Sequence, residues 1–176
     1  MRIAVSGTHR AGKSTLVGDL AEVLRGYRVV DEPYHLLEEE GFEFSDPPAI
    51  EDWVEQLRRS VEELEGDGSP NLLLDRCPVD LLAYAFTHED RDALDLDEWM
   101  PQVREALGTL DLVVFVPLEQ PDRIPLGPGE DLQLRDAVDR ELSMLLLEDS
   151  LGLELEVLGV EGGRKERLAQ VLRRIA

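Results

Sequence analysis

The sequence predicts an α/β fold in which a parallel sheet of about five strands is covered by helices on both faces. Short apolar segments rich in branched side chains alternate with longer segments in which apolar residues recur at helical spacing. The alternation runs once through the 176 residues, with no internal repeat and no low-complexity tract. Apolar strands separated by helices are typical of a parallel sheet that is buried on both faces. A chain of this length is expected to form one domain over residues 1–176.

The individual elements follow from local signals. Apolar runs predict strands over 2–5, 28–33, 71–75, 111–117 and 153–159. Helical spacing, with prolines near helix starts and glycines after helix ends, predicts helices over 13–25, 47–68, 78–88, 97–108, 131–150 and 164–175, with one or two turns at 35–40. Residues 117–130 contain four prolines and two glycines, which indicates an exposed loop.

A glycine-bracketed loop stands between the first strand and the first helix. Its sequence, Gly7-Thr8-His9-Arg10-Ala11-Gly12-Lys13-Ser14, fits G-x-x-x-x-G-K-[ST] without a mismatch. In such a loop backbone N–H groups and the helix N-terminus face phosphate oxygens, the lysine neutralises the β- and γ-phosphates, and the serine hydroxyl binds Mg²⁺. The predicted nucleotide-binding residues are Gly7, Thr8, His9, Arg10, Ala11, Gly12, Lys13, Ser14 and Thr15, and the motif leaves ATP and GTP open.

Composition restricts the partners. The formal net charge of −21 argues against a nucleic acid polymer, whose phosphates need Lys and Arg. The charge indicates solubility or adaptation to a salty host, and the alternative is an acidic rim that favours a cationic small molecule over an anionic one. No apolar run approaches the length of a membrane span, and "MRIAVSG" predicts a strand rather than a signal peptide. A single cysteine, Cys77, is compatible with a reducing cytoplasm. We therefore expect a cytoplasmic protein without a membrane or nucleic acid partner.

Carboxylates end the second and third strands. Ligands of parallel sheets bind outside the carboxyl ends of the strands, so these side chains should open on the same edge as the glycine loop. Asp75, followed by Arg76, is placed to hold a magnesium-bound water or to accept a proton, if the third strand neighbours the first. Glu32 could reach an acceptor hydroxyl from the second strand, with Asp31 as the rival carboxylate. Catalytic base and magnesium partner remain open between Glu32 and Asp75.

These motifs resemble the nucleoside and nucleotide kinase branch of the P-loop NTPase fold. The glycine loop is followed by "DEP", by "LLLDRCPVDLLAYAF" and by an arginine-bearing loop and helix, "DRIPLGPGEDLQLRDAVDR". The segments after the second and third strands resemble thymidylate kinases, deoxynucleoside kinases and the kinase domain that phosphorylates nicotinamide riboside. The resemblance implies an enzyme of three-layer fold that transfers the γ-phosphate of ATP, with Mg²⁺, to a small acceptor.

The resemblance also implies site residues. A carboxylate after the second or third strand activates the acceptor, which here is Glu32 or Asp75. A mobile lid at about 117–140 brings arginines over the phosphates, and these are Arg123, Arg135 or Arg140. The implied catalytic set is Lys13, Glu32, Asp75, Arg76, Arg123 and Arg135, with Ser14 and Asp75 at the metal.

Two departures from thymidylate kinases bear on the acceptor. Those enzymes carry an arginine before their "EP", where this chain has Asp31, and "YHLL" follows in place of their glycine-rich continuation. Both departures favour an unphosphorylated alcohol, such as a nucleoside, over a nucleoside monophosphate. A nucleoside monophosphate kinase and a regulatory P-loop ATPase without an acceptor remain the alternatives, and a homodimer is one option for the unresolved oligomeric state.

Overall fold

The computed structural model describes residues 1–66, 68–120, 124 and 131–176. Its strands are β1 (Arg2–Ser6), β2 (Arg28–Val30), β3 (Leu72–Asp75), β4 (Leu112–Phe115) and β5 (Val157–Gly159). Its helices are α1 (Lys13–Val23), α2 (Pro33–Glu39), α3 (Ile50–Gly66), α4 (Pro78–Thr87), α5 (Leu96–Leu107), α6 (Leu132–Leu146) and α7 (Arg164–Ile175), with a 3-10 turn at Arg91–Ala93.

The five strands form one sheet in the order β2-β3-β1-β4-β5, and every pair is parallel. The predicted parallel sheet is therefore confirmed, as is the neighbouring position of β3 and β1, in which Val5 lies opposite Asp75. Because β1 is central, the chain that leaves it has β3 on one side and β4 on the other. The glycine loop thus begins in the middle of the carboxyl edge of the sheet.

The two faces of the sheet bury separate apolar clusters. Along β1 and β3 the side chains alternate, so Ala4, Leu72 and Leu74 pack on one face while Ile3, Val5 and Leu73 pack on the other. The first face is covered by α3, α4, α5 and α6, and the second by α1 and α7. This arrangement is the predicted three-layer architecture.

Three boundaries differ from the sequence prediction. Pro33 begins α2 rather than ending β2, because a proline at the first position of a helix loses no hydrogen bond and has its φ already set. The strand predicted from residue 153 begins only at Val157. The helix predicted from residue 47 begins at Ile50, after a cis Asp46-Pro47 peptide. None of the helices in the described part of the chain is both long and apolar enough to cross a bilayer.

Candidate active site

The glycine loop joins β1 to α1 and is shaped by close contacts at both glycines. A Cβ atom at Gly7 would lie 2.7 Å from the carbonyl oxygen of Val116, which is too close for any side chain. Gly12 has a φ of 94°, a left-handed conformation that favours glycine, and it precedes the first turn of α1. The amino end of α1 has no side-chain cap. Its first N–H groups are therefore directed at whatever occupies the loop.

Lys13 is buried behind this loop. Its Nζ donates to the Thr8 carbonyl at 3.1 Å and lies 3.9 Å from Glu32 Oε1. Burial, followed by repulsion from Arg76, lowers the pKa of Lys13 to about 8, although nearby carboxylates oppose the shift. Because its charged form is destabilised in this way, the Lys13 ammonium group would be strongly stabilised by an anion placed beside it.

Asp75 lies at the end of β3, next to the first turn of α1. Burial raises the pKa of its carboxyl group, while the charge of Lys13 and a hydrogen bond from the Ser14 side chain act in the opposite direction. Its Oδ1 is buried and has no hydrogen-bond partner among the described residues. A buried oxygen without a donor, beside a serine hydroxyl, matches the oxygen ligands that Mg²⁺ prefers. The residues predicted to hold magnesium therefore fit that ion.

Glu32 and Arg76 form an ion pair across the mouth of the site. Arg76 Nε donates to Glu32 Oε2 at 2.7 Å, and Arg76 Nη1 donates to the Gly7 carbonyl at 3.1 Å. Burial acts to raise the pKa of Glu32, but the charges of Arg76 and Lys13 outweigh it and the pKa is lowered. Glu32 is thus ionised at neutral pH. Asp31, the rival carboxylate, is exposed and its side chain accepts from the Glu32 amide.

Asp80 is a buried carboxylate beside the site that the sequence analysis missed. Its carboxylate is fully buried and accepts from Ser6 Oγ at 2.7 Å, from the Gly7 amide at 3.0 Å and from the Cys77 amide at 3.0 Å. Asp80 therefore connects the start of the glycine loop to the start of α4. A signal for it was present, because an acidic residue three positions after a helix N-cap, here Cys77, is typical of a capping box.

Two adjoining cavities meet at Glu32 and Arg76. The first, which we name the loop cavity, has a volume of about 360 Å³ and contains Lys13, Ser14 and Thr15 in its wall. The second, which we name the aromatic cavity, has a volume of about 300 Å³. His9, Glu32 and Arg76 line both cavities. The Glu32 carboxylate consequently faces the phosphate loop on one side and a second binding space on the other.

The aromatic cavity has a wall of stacked rings. Trp53 of α3 stacks on Tyr84 of α4, with centroids 4.4 Å apart and planes tilted by 11°. The guanidinium of Arg76 lies 5.2 Å from the centroid of Tyr84, and the Tyr84 hydroxyl accepts from the His9 amide at 3.0 Å. The remaining wall is formed by Tyr34, Pro48, Gln56, Asp131 and Leu134. Sequence analysis did not identify this pocket, whose residues are scattered along the chain.

The predicted lid arginines occupy three different situations. Arg123 lies outside the described residues. Arg140 is exposed on α6, and Arg135 is buried on the same helix, where it donates to the carbonyls of His9 and Arg10 at 3.2 and 3.1 Å. A further buried arginine, Arg167 of α7, donates to the Ala11 carbonyl at 2.7 Å and had not been predicted.

A larger cavity of about 570 Å³ lies away from these residues, between Glu119, the loop that follows β5 and one face of α7. It contains no residue of the glycine loop. We assign the candidate active site to the two smaller cavities, because the charged side chains of Lys13, Glu32 and Arg76 line their walls.

Comparison with known proteins agrees with the fold. A family model described as an AAA domain matches residues 2–167. No curated protein matches the sequence. Among solved structures, deoxyadenosine kinase from M. mycoides with bound dATP has a TM-score of 0.70 at 15% identity and covers 99% of both chains.

Two other structures share the fold. NadR protein in complex with NAD and AMP-PNP has a TM-score of 0.69 at 21% identity, covering 97% of this chain and 48% of that protein. Thymidylate kinase from Candida albicans has a TM-score of 0.64 at 17% identity, covering 98% of this chain and 89% of the other. The fold is therefore that of the P-loop nucleoside and nucleotide kinases, as the sequence predicted.

Proposed function

This chain belongs to the AAA domain family, and we propose that it acts as a P-loop kinase that transfers the γ-phosphate of ATP to a hydroxyl of a small molecule, most naturally a nucleoside-like compound. The fold that it shares with deoxyadenosine kinase and thymidylate kinase supports a kinase in general. The observation that carries the proposal is the position of Glu32, which lines both the loop cavity and the aromatic cavity. A transferase needs donor and acceptor spaces that meet at a basic group, whereas an ATPase switch does not.

The donor side is the loop cavity. The backbone of the glycine loop would surround the β- and γ-phosphates, and Lys13 would place its ammonium on the charge that develops during transfer. Mg²⁺, held by Ser14 and Asp75, would neutralise phosphate charge when bound. The bound dATP and AMP-PNP of two structural neighbours support an adenine nucleotide as donor.

The acceptor side is the aromatic cavity. Its volume and its stacked rings suit a flat heterocycle with an attached sugar. Among the described residues that line it, Arg76 has the one guanidinium, and Glu32 already pairs with it at 2.7 Å. An acceptor phosphate would have to compete with that pair, so we favour an unphosphorylated acceptor over a nucleoside monophosphate.

The two carboxylates divide the roles. Glu32 has a lowered pKa and faces both cavities, so it would accept the hydrogen bond, and then the proton, of the attacking hydroxyl. Asp75 is buried beside Ser14, which lines the loop cavity, and its Oδ1 has no donor among the described residues, which suits the metal side. Arg76 would orient Glu32 and contribute positive charge at the transferred group. Of the lid expected at about 117–140, residues 132–140 belong to α6, which packs on the sheet, so we propose the lid only for the segment between β4 and α6. Arg123 is its candidate cation, within one domain that we place in the cytoplasm.

The proposal is tested by acceptor-dependent release of ADP from Mg-ATP. The panel contains nucleosides, nucleoside monophosphates and small alcohols, each with and without Mg²⁺. We expect release with a nucleoside-like acceptor, and little release with the monophosphates or without any acceptor. Equal release with and without acceptors would instead indicate an ATPase and refute the kinase proposal.

A further inference from the structure

The outward face of the glycine loop carries an inference beyond the predicted motif. In a phosphate-binding loop the peptide N–H groups point inward, so the peptide carbonyls point away from the ligand. Carbonyls that turn into the protein interior need hydrogen-bond donors there. Without such donors, buried oxygens stay unpaired and the binding shape of the loop is destabilised. The question is therefore what holds these carbonyls outward.

Every carbonyl from Gly7 to Gly12 accepts a hydrogen bond. Arg76 Nη1 donates to Gly7 and Lys13 Nζ to Thr8, both at 3.1 Å, and the Leu16 amide donates to Gly12 at 3.2 Å. The three carbonyls between them, those of residues 9, 10 and 11, are held by side chains from distant parts of the chain.

Two arginines supply those contacts. Arg135 donates through Nε to His9 and through Nη2 to Arg10, at 3.2 and 3.1 Å, and Arg167 Nη1 donates to Ala11 at 2.7 Å. The planar guanidinium of Arg135 spans two successive carbonyls, which an ammonium group could not do with the same geometry. Both arginines are buried, at 2% and 8% exposed.

Neither arginine is placed where its helix would favour it. Each is the fourth residue of its helix, α6 or α7, so its positive charge lies near the positive end of the helix dipole. Each is also removed from water, which opposes a charged group. Glu119 offsets this for Arg167, whose Nη2 donates to Glu119 Oε1 at 2.8 Å, and Asp139 lies close enough to Arg135 to interact with its charge.

We infer that Arg135 and Arg167 are positioning residues for phosphate binding. They hold the carbonyls of residues 9–11 outward, so that the loop is already in its phosphate-binding shape, and they add positive potential behind it. Arg135 therefore acts through the backbone of the loop rather than as a lid arginine that contacts the transferred phosphate. The inference rests on the proposed donor site.

The test uses inorganic tripolyphosphate with Mg²⁺ as a probe, measured by calorimetry on the full chain, because this ligand needs neither a nucleobase site nor an acceptor. The variants are Arg135→Gln, Arg135→Lys, Arg167→Gln and Arg167→Lys. Arg25→Gln and Arg174→Gln remove the same charge from exposed positions and are the controls. Thermal unfolding without ligand reports on folding, and the lysine variants serve if a glutamine variant does not fold.

We expect binding of tripolyphosphate to weaken about tenfold or more in all four variants, and less than about twofold in the controls. Mg-ATP should show the same loss as a higher KM, with a smaller change in kcat. Lysine variants that bind as tightly as the wild type would overturn the inference, since charge alone would then suffice. So would controls that weaken as much as the variants.

These outcomes are separable from the fate of the kinase proposal. A wild-type protein that binds tripolyphosphate but phosphorylates no acceptor would refute the kinase, while the comparison of variants would still decide the role of the arginines. A wild-type protein that binds no tripolyphosphate would refute the inference, while acceptor-dependent release of ADP from Mg-ATP would still decide the kinase proposal.

Discussion

The loop cavity and the aromatic cavity share a border but are assembled differently. Six of the nine residues that line the loop cavity lie between positions 9 and 15. The aromatic cavity takes its lining from the glycine loop, α2, α3, α4, α6 and the segments before α3 and after β3. One site is thus local in sequence and the other is brought together only by folding. The difference teaches that donor chemistry can be inferred from a motif, whereas acceptor identity depends on tertiary packing.

The largest expected effect is on the donor side. Replacing Lys13 by Met should lower kcat/KM about 1000-fold, because the ammonium that we propose to face the phosphates would be lost. Steady-state kinetics with Mg-ATP and the best acceptor measure this loss. Arg25→Gln, which removes an exposed charge just after the end of α1, should leave kcat/KM unchanged. A Lys13 variant with more than a tenth of the wild-type rate would contradict the donor assignment.

The second prediction concerns the pH dependence of stability. The folded-state pKa of Lys13 is about 8 against 10.5 in the unfolded chain, so between these values the unfolded state binds more protons. The free energy of unfolding of the ligand-free protein should therefore rise with pH across this window, relative to Lys13→Met, by about 3 kcal/mol at most. Chemical denaturation at pH 7.5, 9 and 10.5 measures the difference. A parallel course of the two proteins would show that Lys13 is not strongly desolvated.

The third prediction concerns the border between the cavities. Glu32→Gln should lower kcat about 100-fold with little change in the KM for ATP, because the proton acceptor is lost while the phosphate contacts remain. Asp75→Asn should instead raise the Mg²⁺ concentration needed for half-maximal rate, about tenfold. Kinetics at varied Mg²⁺ distinguish the two. Exchanged phenotypes would mean that the roles of Glu32 and Asp75 are reversed.

The smallest effect is expected on the acceptor side. Trp53→Leu removes one ring of the stacked pair and should raise the KM for the acceptor about tenfold, while the KM for ATP stays within about twofold. Trp99, which packs against the core in α5, is not among the residues that line either cavity, and Trp99→Leu is the matched control. If both KM values rise together in Trp53→Leu, the two cavities are not functionally separate.

The sequence allowed most of the fold and half of the site to be predicted. The strands were visible because each contains a short apolar run, and Asp75 and Glu32 were visible because carboxyl ends of parallel strands share one edge. β5 was predicted too long, since the alternation of Leu and Glu from residue 153 continues outside the sheet. Trp53 has the spacing of a core residue, and nothing local distinguishes a ring that packs inward from one that also lines a cavity.

The contacts of the two buried arginines, Arg135 and Arg167, also could not be predicted from the sequence. Arg135 was predicted to belong to the site from its place after the proline-rich loop, but its contacts with backbone carbonyls are set by how α6 packs near the glycine loop. Arg167 lies 156 residues from the carbonyl that it contacts, and no sequence signal connects the two. Long-range contacts to main-chain atoms leave no residue pattern, because every residue has a carbonyl group.

The first glycine of the motif has a meaning of its own. The carbonyl of Val116, just after β4, occupies the space that a side chain at position 7 would need. That restriction comes from the neighbouring polypeptide and would act in the absence of any nucleotide. A descendant that had lost nucleotide binding would still be held to Gly7 by this close contact, whereas the ammonium of Lys13, despite its hydrogen bond to the Thr8 carbonyl, is opposed by desolvation and would be the easier of the two to lose. When distant members of the lineage are compared, the lysine therefore reports on surviving chemistry, and the glycine reports only on surviving architecture.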